Sequence, residues 1–243
     1  MDVLCIIPAR GNSSRVPGKN KLIVGGKPVV AHAVVDALSS SYSPHVVVLS
    51  DDDETLEIGK LYGAEAIVEP PEFAADDDMY HGLKYALELC EHRYGAVGAV
   101  AMLYGNVVNR PRAILDKVLD KLFSNDVDSV RTTREVPTHY HPHCHVMVDI
   151  DGRVMRWWPM SRIEKLVNSQ DRPPVYCDAA AAMACKRASF ETVWGGRTGI
   201  AMTVPCKMLT VEIDTPEDAA WAEFLMSRQV LLADQRESFT GQG

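Results

Sequence analysis

The stretch "IIPARGNSSRVPGKNK", residues 6–21, carries the reading of the fold. The apolar run from Val3 to Ile7 feeds directly into a loop that holds Pro8, Gly11, Pro17 and Gly18 and the cations Arg10, Arg15 and Lys19. A continuous apolar run of this length suits a strand buried on both faces of a parallel sheet. From Pro28 onward Val29, Val30, Ala33, Val34, Ala37 and Leu38 recur at helical spacing, with the proline suited to a first turn. Strand, loop and helix in that order place the loop beyond the carboxyl end of the strand, where open α/β sheets bind ligands.

Two familiar glycine loops fail against this stretch. A Walker A loop needs four residues between its glycine and Gly-Lys-Ser/Thr, whereas here six separate Gly11 from Gly18 and Asn20 follows Lys19. A dinucleotide fingerprint needs three glycines in G-x-G-x-x-G, which nothing after Gly11 supplies. What remains is a cationic loop whose amides and side chains can neutralise a polyphosphate.

The 243 residues are 47% hydrophobic, enough for a large core in one domain with a small appendage. The formal charge of −8 argues against nucleic acid and anionic membrane as partners, because both need a basic field. No apolar stretch approaches the roughly 18 residues of a spanning helix, and the opening residues lack signal-peptide order, so a cytoplasmic protein is expected. The six cysteines, Cys5, Cys90, Cys144, Cys177, Cys185 and Cys206, form no C-x-x-C pair and read as buried thiols.

Strands and helices alternate through the first half. His45 to Ser50 reads as a strand followed by the acids Asp51 to Glu54, which suit a helix amino end. Ala64 to Val68 and Ala96 to Leu103 read as further strands, with helices over about 77–92 and from Pro111 to Phe123. The expected class is α/β, a doubly wound and mostly parallel sheet. The whole chain, 1–243, reads as one such domain, with 135–176 as a small antiparallel arm.

That arm contains "HYHPHCHVMVDIDGRVMRWWP", in which Asp151-Gly152 signals a two-residue hairpin. Trp157, Trp158 and Met160 add more apolar surface than a hairpin buries alone, so a homodimer interface is expected. His139, His141, His143 and His145 would share a face in an uninterrupted strand, but Pro142 interrupts it and same-face neighbours lie about 7 Å apart. Polar substrate or interface surface is therefore preferred to a zinc site.

Near the C-terminus, "MLTVEIDTPEDAAWAEFL" reads as a strand from Met208 to Ile213 and a helix opened by a capping box, Thr215 as N-cap and Asp218 three residues on. Asp214 stands at the strand end. A hard cation such as Mg²⁺ takes one or two carboxylates and completes its shell from phosphate oxygens and water. A cationic loop and a strand-end carboxylate together are what a magnesium nucleotide needs.

The stretch "IIPARGNSSRVPGKNKLIVGGKPVVAHAV" resembles the N-terminal signature of the sugar-acid cytidylyltransferases, the CMP-sialic acid (acylneuraminate) synthetases and their CMP-Kdo synthetase relatives. "VEIDTPEDAAWAE" resembles their C-terminal magnesium motif, and "SQDRPPVY" the segment before their substrate strand. The resemblance implies a nucleotide-diphospho-sugar transferase-like fold with a dimerisation arm, and transfer of CMP from CTP to an acidic acceptor with release of pyrophosphate. It implies that Arg10 and Lys19 act on the triphosphate, and that Ala9, Gly11, Asn12, Ser13, Arg15, Asn20 and Asp78 join them in holding the nucleotide. It further implies acceptor contacts from Tyr104, Asn106, Gln170 and Asp178, and Mg²⁺ held by Asp214 with Glu212. Several positions depart from the pattern: Glu69 stands where the sialic acid group has a base-reading arginine, Tyr104 to Val108 where it has Gln-Pro-Thr-Ser-Pro, Asp178-Ala179 where it has Asn-Gly, Asn106 where the Kdo group has a metal-binding carboxylate, and Glu212 is one methylene longer than the first metal carboxylate of the family. Another base, a phosphonate acceptor and a catalytically silent nucleotide-binding protein stay open as alternatives at this point.

Overall fold

The structure, a computed structural model, describes residues 2–11, 16–74, 79–156, 172–195, 199–206 and 209–240. In chain order, β1 (Val3–Pro8) is followed by the small pair β2 (Ile23–Val24) and β3 (Lys27–Pro28), then α1 (Val29–Leu38), β4 (His45–Ser50), α2 (Asp53–Leu61) and β5 (Glu65–Val68). Next come α3 (Pro71–Ala74), α4 (Tyr80–Tyr94), β6 (Ala99–Met102), β7 (Val107–Val108), α5 (Ile114–Phe123), β8 (Ser129–Glu135), β9 (Val146–Val148) and β10 (Val154–Arg156). The chain continues through β11 (Tyr176–Lys186), α6 (Phe190–Trp194), β12 (Ala201–Pro205), β13 (Val211–Glu212) and α7 (Pro216–Thr240).

Seven strands form the central sheet in the order β12-β8-β11-β6-β1-β4-β5. β1 pairs in parallel with β4 and β6, and β4 with β5, while β11 runs antiparallel to β6. This is the mostly parallel α/β sheet expected from the sequence. The period-two alternation of β1 decides which layer each side chain enters. Cys5 and Ile7 face the core under α1, α2 and α5, with Val34, Leu56, Val118 and Leu122. Leu4 and Ile6 face the opposite core, against Leu83, Leu87 and Cys90 of α4 and Phe190 of α6.

From β1 the chain steps to β4 and β5 on one side and then returns to β6 on the other. Strand order therefore reverses between β1 and β6, and the region beyond their carboxyl ends is the usual ligand position of such sheets. Gly105, in the loop after β6, packs against the loop after β1. A side chain there would lie 2.7 Å from Ala9 Cβ and 2.9 Å from the Pro8 carbonyl oxygen, so only glycine fits the approach.

Helix starts follow their caps. Asp52 Oδ2 accepts from the Thr55 amide at 2.9 Å and opens α2, with Asp53 and Glu54 in its first turn. The capping box of α7 forms as expected: the Asp218 amide donates to Thr215 Oγ1 at 3.2 Å, and Asp218 Oδ2 accepts from the amides of Thr215 and Asp214 at 2.8 and 3.0 Å. Several boundaries differ, among them that of β6, which spans Ala99–Met102 rather than Ala96 to Leu103, and two have a visible cause. α5 begins at Ile114 rather than Pro111, because Ala113 takes a left-handed conformation, φ 54°, immediately before it. β13 spans only Val211–Glu212 and pairs with β7 outside the central sheet, since the Asp218 carboxylate captures the Asp214 amide and turns the chain into α7. Met208 lies outside the described residues.

Residues 1–132 and 179–243 form one compact unit and 133–178 another. In the second unit β9 and β10 pair antiparallel, Val148 opposite Val154. The connection runs over 149–153 rather than two residues, because Asp149 Oδ1 accepts from the Asp151 and Arg153 amides at 3.0 and 2.8 Å, with Gly152 at φ 80°. His139 and His143 lie in two short 3-10 turns, Thr138–Tyr140 and Pro142–Cys144, with His141 between the turns and His145 after them, rather than all four on one strand face. His141 Nε2 lies 3.1 Å from the Pro173 carbonyl, and among the described residues no group of three or more metal-ligating side chains is found. Cys144 is exposed and Cys177 half-buried, so the expectation of buried thiols holds for the other four only. Burial pushes the Cys5 and Cys185 thiols up to about 12 and that of Cys90 to about 11, which keeps them protonated and unreactive. Trp157, Trp158 and Met160 lie outside the described residues.

Candidate active site

The parallel register brings four loops to one end of the sheet. Pro8 stands opposite Leu49 and Ser50 opposite Val68, so the residues after β1, β4 and β5 emerge side by side. Backbone bonds extend the register past the strands: the Ala9 amide donates to the Leu49 carbonyl at 2.9 Å, the Glu69 amide to that of Ser50 at 2.8 Å, and Ser50 Oγ to that of Ala9 at 2.7 Å. Arg10, Asp51, Asp52 and Glu69 thereby share that end of the sheet.

Arg10 is held in a fork. Its Nε donates to Glu69 Oε2 at 3.3 Å and its Nη2 to Glu69 Oε1 at 3.2 Å and to the Phe73 carbonyl at 2.8 Å. The next residue, Gly11, donates its amide to Asp51 Oδ1 at 2.7 Å and packs so tightly on Asp52 that a Cβ would collide with it. Asn20 is 2% exposed; its Nδ2 donates to the Arg10 carbonyl at 2.9 Å, while its buried Oδ1 has no hydrogen-bond partner. A buried acceptor in that state calls for a donor to satisfy it.

Lys19 Nζ lies 2.8 Å from Asp214 Oδ1, with the two side chains 16% and 23% exposed. The two end motifs, 195 residues apart in sequence, thus meet in one ion pair. Asp214 owes its position to two contacts, the Ile213 amide on the Asn106 carbonyl at 2.8 Å and its own amide on Asp218. Glu212 is exposed and its Oε1 accepts from Asn106 Nδ2 at 3.3 Å. The pair Glu212 and Asp214 alternates with the buried Val211 and Ile213, so both carboxylates stand on the outer side of the segment. Two hard oxygen donors beside a crevice fit a Mg²⁺ that draws its other ligands from phosphate and water.

Lys21 reaches Asp52 at 3.3 Å and Glu54 at 2.8 Å, which raises its pKa chiefly through the Glu54 bond. Burial works to raise Asp52, but the bonds from Thr55 and Lys21 outweigh it and its pKa is lowered. Among the described residues of the loop, Arg10, Lys19 and Lys21 are therefore each compensated by a carboxylate.

Sequence reasoning missed Arg110, whose side chain is fully buried. Its Nε donates to the Ala181 carbonyl at 2.8 Å, Nη1 to that of Val107 at 2.7 Å and Nη2 to that of Tyr104 at 2.6 Å, while Asp36 lies 3.4 Å from Nη1. Burial lowers the Arg110 pKa and raises that of Asp36, each opposed by the other's charge. The guanidinium fixes the loop that carries Tyr104 and Asn106. Only its place after Asn109, in a polar stretch following an apolar strand, hints at it in the sequence.

Of the other expected site residues, Ala9 is buried beneath the loop, 2% exposed. Asn12, Ser13, Arg15, Asp78 and Gln170 lie outside the described residues. Asp178 is exposed and belongs to the second unit.

Residues 4–152 match a family model described as "Cytidylyltransferase". The chain is 33% identical over 228 residues to the pseudaminic acid cytidylyltransferase of Campylobacter jejuni subsp. jejuni serotype O:2, covering 93% of this chain and 96% of that one. It is 31% identical over 160 residues to the 3-deoxy-manno-octulosonate cytidylyltransferase of Chromohalobacter salexigens, 63% of this chain and 60% of that one. Among solved structures, a CMP:2-keto-3-deoxy-manno-octonic acid synthetase complexed with CTP superposes with a TM-score of 0.69 at 18% identity, covering 94% of this chain and 100% of that one, which is a likeness of fold.

Proposed function

The chain belongs to the cytidylyltransferase family, and from that premise we propose that it transfers CMP from CTP to an acidic sugar such as pseudaminic or a sialic acid, releasing pyrophosphate. The observation that carries this reading is the Lys19–Asp214 pair at 2.8 Å, which brings the phosphate loop and the C-terminal carboxylates to one crevice at the strand-order reversal. In the reaction the acceptor's hydroxyl oxygen bonds to the α-phosphorus as the bridge from that phosphorus to the β-phosphate breaks. Pyrophosphate leaves with the bonding electrons and the hydroxyl proton passes to solvent. Such a centre asks the protein for positioning and charge stabilisation rather than covalent chemistry.

The residues divide that work. Arg10 and Lys19 offset the charge that gathers on the triphosphate, and backbone and side chains of Ala9, Gly11, Asn12, Ser13, Arg15, Asn20 and Asp78 hold the nucleotide. Asn20 Oδ1 is suited to a ribose hydroxyl or a base amine. Tyr104 and Asn106, on the loop fixed by Arg110, are assigned to the acceptor, and so, by the resemblance, are Gln170 and Asp178. Asp214 and Glu212 would hold Mg²⁺, which supplies charge neutralisation at phosphate oxygens when bound. Lys19 then acts as a tether that keeps Asp214 aimed inward and exchanges its carboxylate for phosphate as the nucleotide enters. We also propose that the protein works in the cytoplasm as a homodimer formed through residues 133–178.

Pyrophosphate release, measured with CTP, Mg²⁺ and a panel of pseudaminic acid, N-acetylneuraminic acid and Kdo, tests the reading. Release that needs CTP, an acidic sugar and a divalent ion, and stops with chelator, is the expected result. Equal release with UTP, or none with any acidic sugar, would overturn it.

A further inference from the structure

Glu69 follows β5 and is 3% exposed, yet it is a carboxylate placed at a site meant for polyanions. Its charge works against binding a triphosphate, so its presence needs a reason. Both of its oxygens are turned to Arg10, contacting Nε and Nη2, and the Phe73 carbonyl takes a second bond from the same Nη2. A guanidinium gripped along one edge and at one amino group has its plane fixed.

The surroundings are shaped for this grip. Gly82, in the first turn of α4, stands where a side chain would collide with Glu69 Oε1 and come within 3.3 Å of its Cδ. Nothing in the backbone requires glycine there, since Gly82 is helical and its φ is not positive. A helix gives up stability for glycine at such a place, and the space it leaves is filled by the Glu69 carboxylate.

We propose that Glu69 is the positioning residue of Arg10: with Gly82 providing its berth and Phe73 the second anchor, it sets the plane in which Arg10 meets the triphosphate. The inference rests on the proposed reaction, in which Arg10 stabilises charge. It gives the carboxylate a role that its own charge would otherwise oppose, because a misdirected guanidinium in a preorganised site loses far more than one neighbouring charge costs.

Two variants separate positioning from architecture. Glu69→Gln keeps size but weakens the grip. Gly82→Ala leaves the charge in place and pushes the carboxylate off Arg10; because the colliding atom is the far end of a flexible side chain and alanine is the better helix former, the fold should not loosen. Both are expected to lower kcat about tenfold to a hundredfold with unchanged or higher melting temperature for Gly82→Ala, and with KM for CTP moving less than kcat. In an Arg10→Ala background Glu69→Gln should cost nothing further, as groups acting through one another are not additive. Unchanged kcat in Gly82→Ala, an independent loss from Glu69→Gln without Arg10, or an altered preference for CTP over UTP in Glu69→Gln would each overturn the proposal, the last by placing Glu69 on the base. A parent protein without turnover would instead overturn the reaction itself. The same variants would then be compared by the thermal shift that CTP with Mg²⁺ produces, where a reduced shift supports the role of Glu69 and an unchanged shift removes it.

Discussion

Lys19 and Asp214 form the contact on which the site closes, and each is open to a single replacement. Lys19→Ala removes a point charge from the triphosphate and should depress turnover about a hundredfold. Asp214→Asn keeps size while removing the carboxylate, and should abolish pyrophosphate release at ordinary Mg²⁺ while the protein stays folded. Glu212→Gln, at an exposed position, should be milder and partly rescued by excess Mg²⁺ or by Mn²⁺. Kinetics and thermal unfolding on the same preparations check these outcomes; full turnover by folded Asp214→Asn would remove the metal site. Arg110 belongs to a different kind of residue. Its guanidinium satisfies three carbonyls, two of them in buried bonds, so Arg110→Met should cost about 3 kcal/mol or more in urea unfolding, mainly from acceptors left unpaired. The Asp36 pair adds little to that sum, because the Asp36 side chain is 36% exposed.

The helices act on the site through their ends. At α7 one carboxylate, Asp218, satisfies two orphan amides, one of them that of Asp214. Asp218→Ala should therefore lower stability by about 1 kcal/mol, as lost caps do, and also raise the Mg²⁺ concentration needed for half-maximal activity, since Asp214 loses its anchor. Unfolding curves and a Mg²⁺ titration separate the two effects; a stability loss with an unshifted titration would leave Asp218 as a cap alone. Strand elements were read more securely than their limits. β1 and β4 were legible because unbroken apolar runs have no alternative to a doubly covered sheet. β13 is shorter than its pattern suggests, because beyond the Ile213 amide on the Asn106 carbonyl, which continues the pairing with β7, the next amide, that of Asp214, is taken by the Asp218 carboxylate of α7.

For the chain as an assembled molecule, the unit 133–178 bears on quaternary structure. Tyr140, Val146, Met147, Val148, Ile150, Val154 and Tyr176 are all exposed in it, and Ile150 is fully so. So much apolar surface on a small unit suits an interface between copies. The protein should sediment as a dimer at micromolar concentration, and Val148→Asp with Ile150→Asp should shift it to monomers while the CTP-dependent thermal shift persists. A parent that is already monomeric would remove the proposed interface.

The fold class, the crevice and the two motifs that meet there were legible in the amino-acid sequence, because each depends on local pattern: an apolar run, a glycine- and proline-bearing loop, a capping box after an acidic pair. What those residues touch was not legible. The loop reads as an excess of positive charge, yet Arg10 lies on Glu69 59 residues away and Lys19 on Asp214 195 residues away. Arg110 shows nothing in the sequence of the three carbonyls it joins, and Gly82 nothing of the carboxylate it admits. Such partners are chosen by strand order and parallel register, which depend on the packing of the whole sheet between its two helical layers. Local pattern specifies which element forms, but pairing across the chain is a sum over many weak contacts that no short stretch contains.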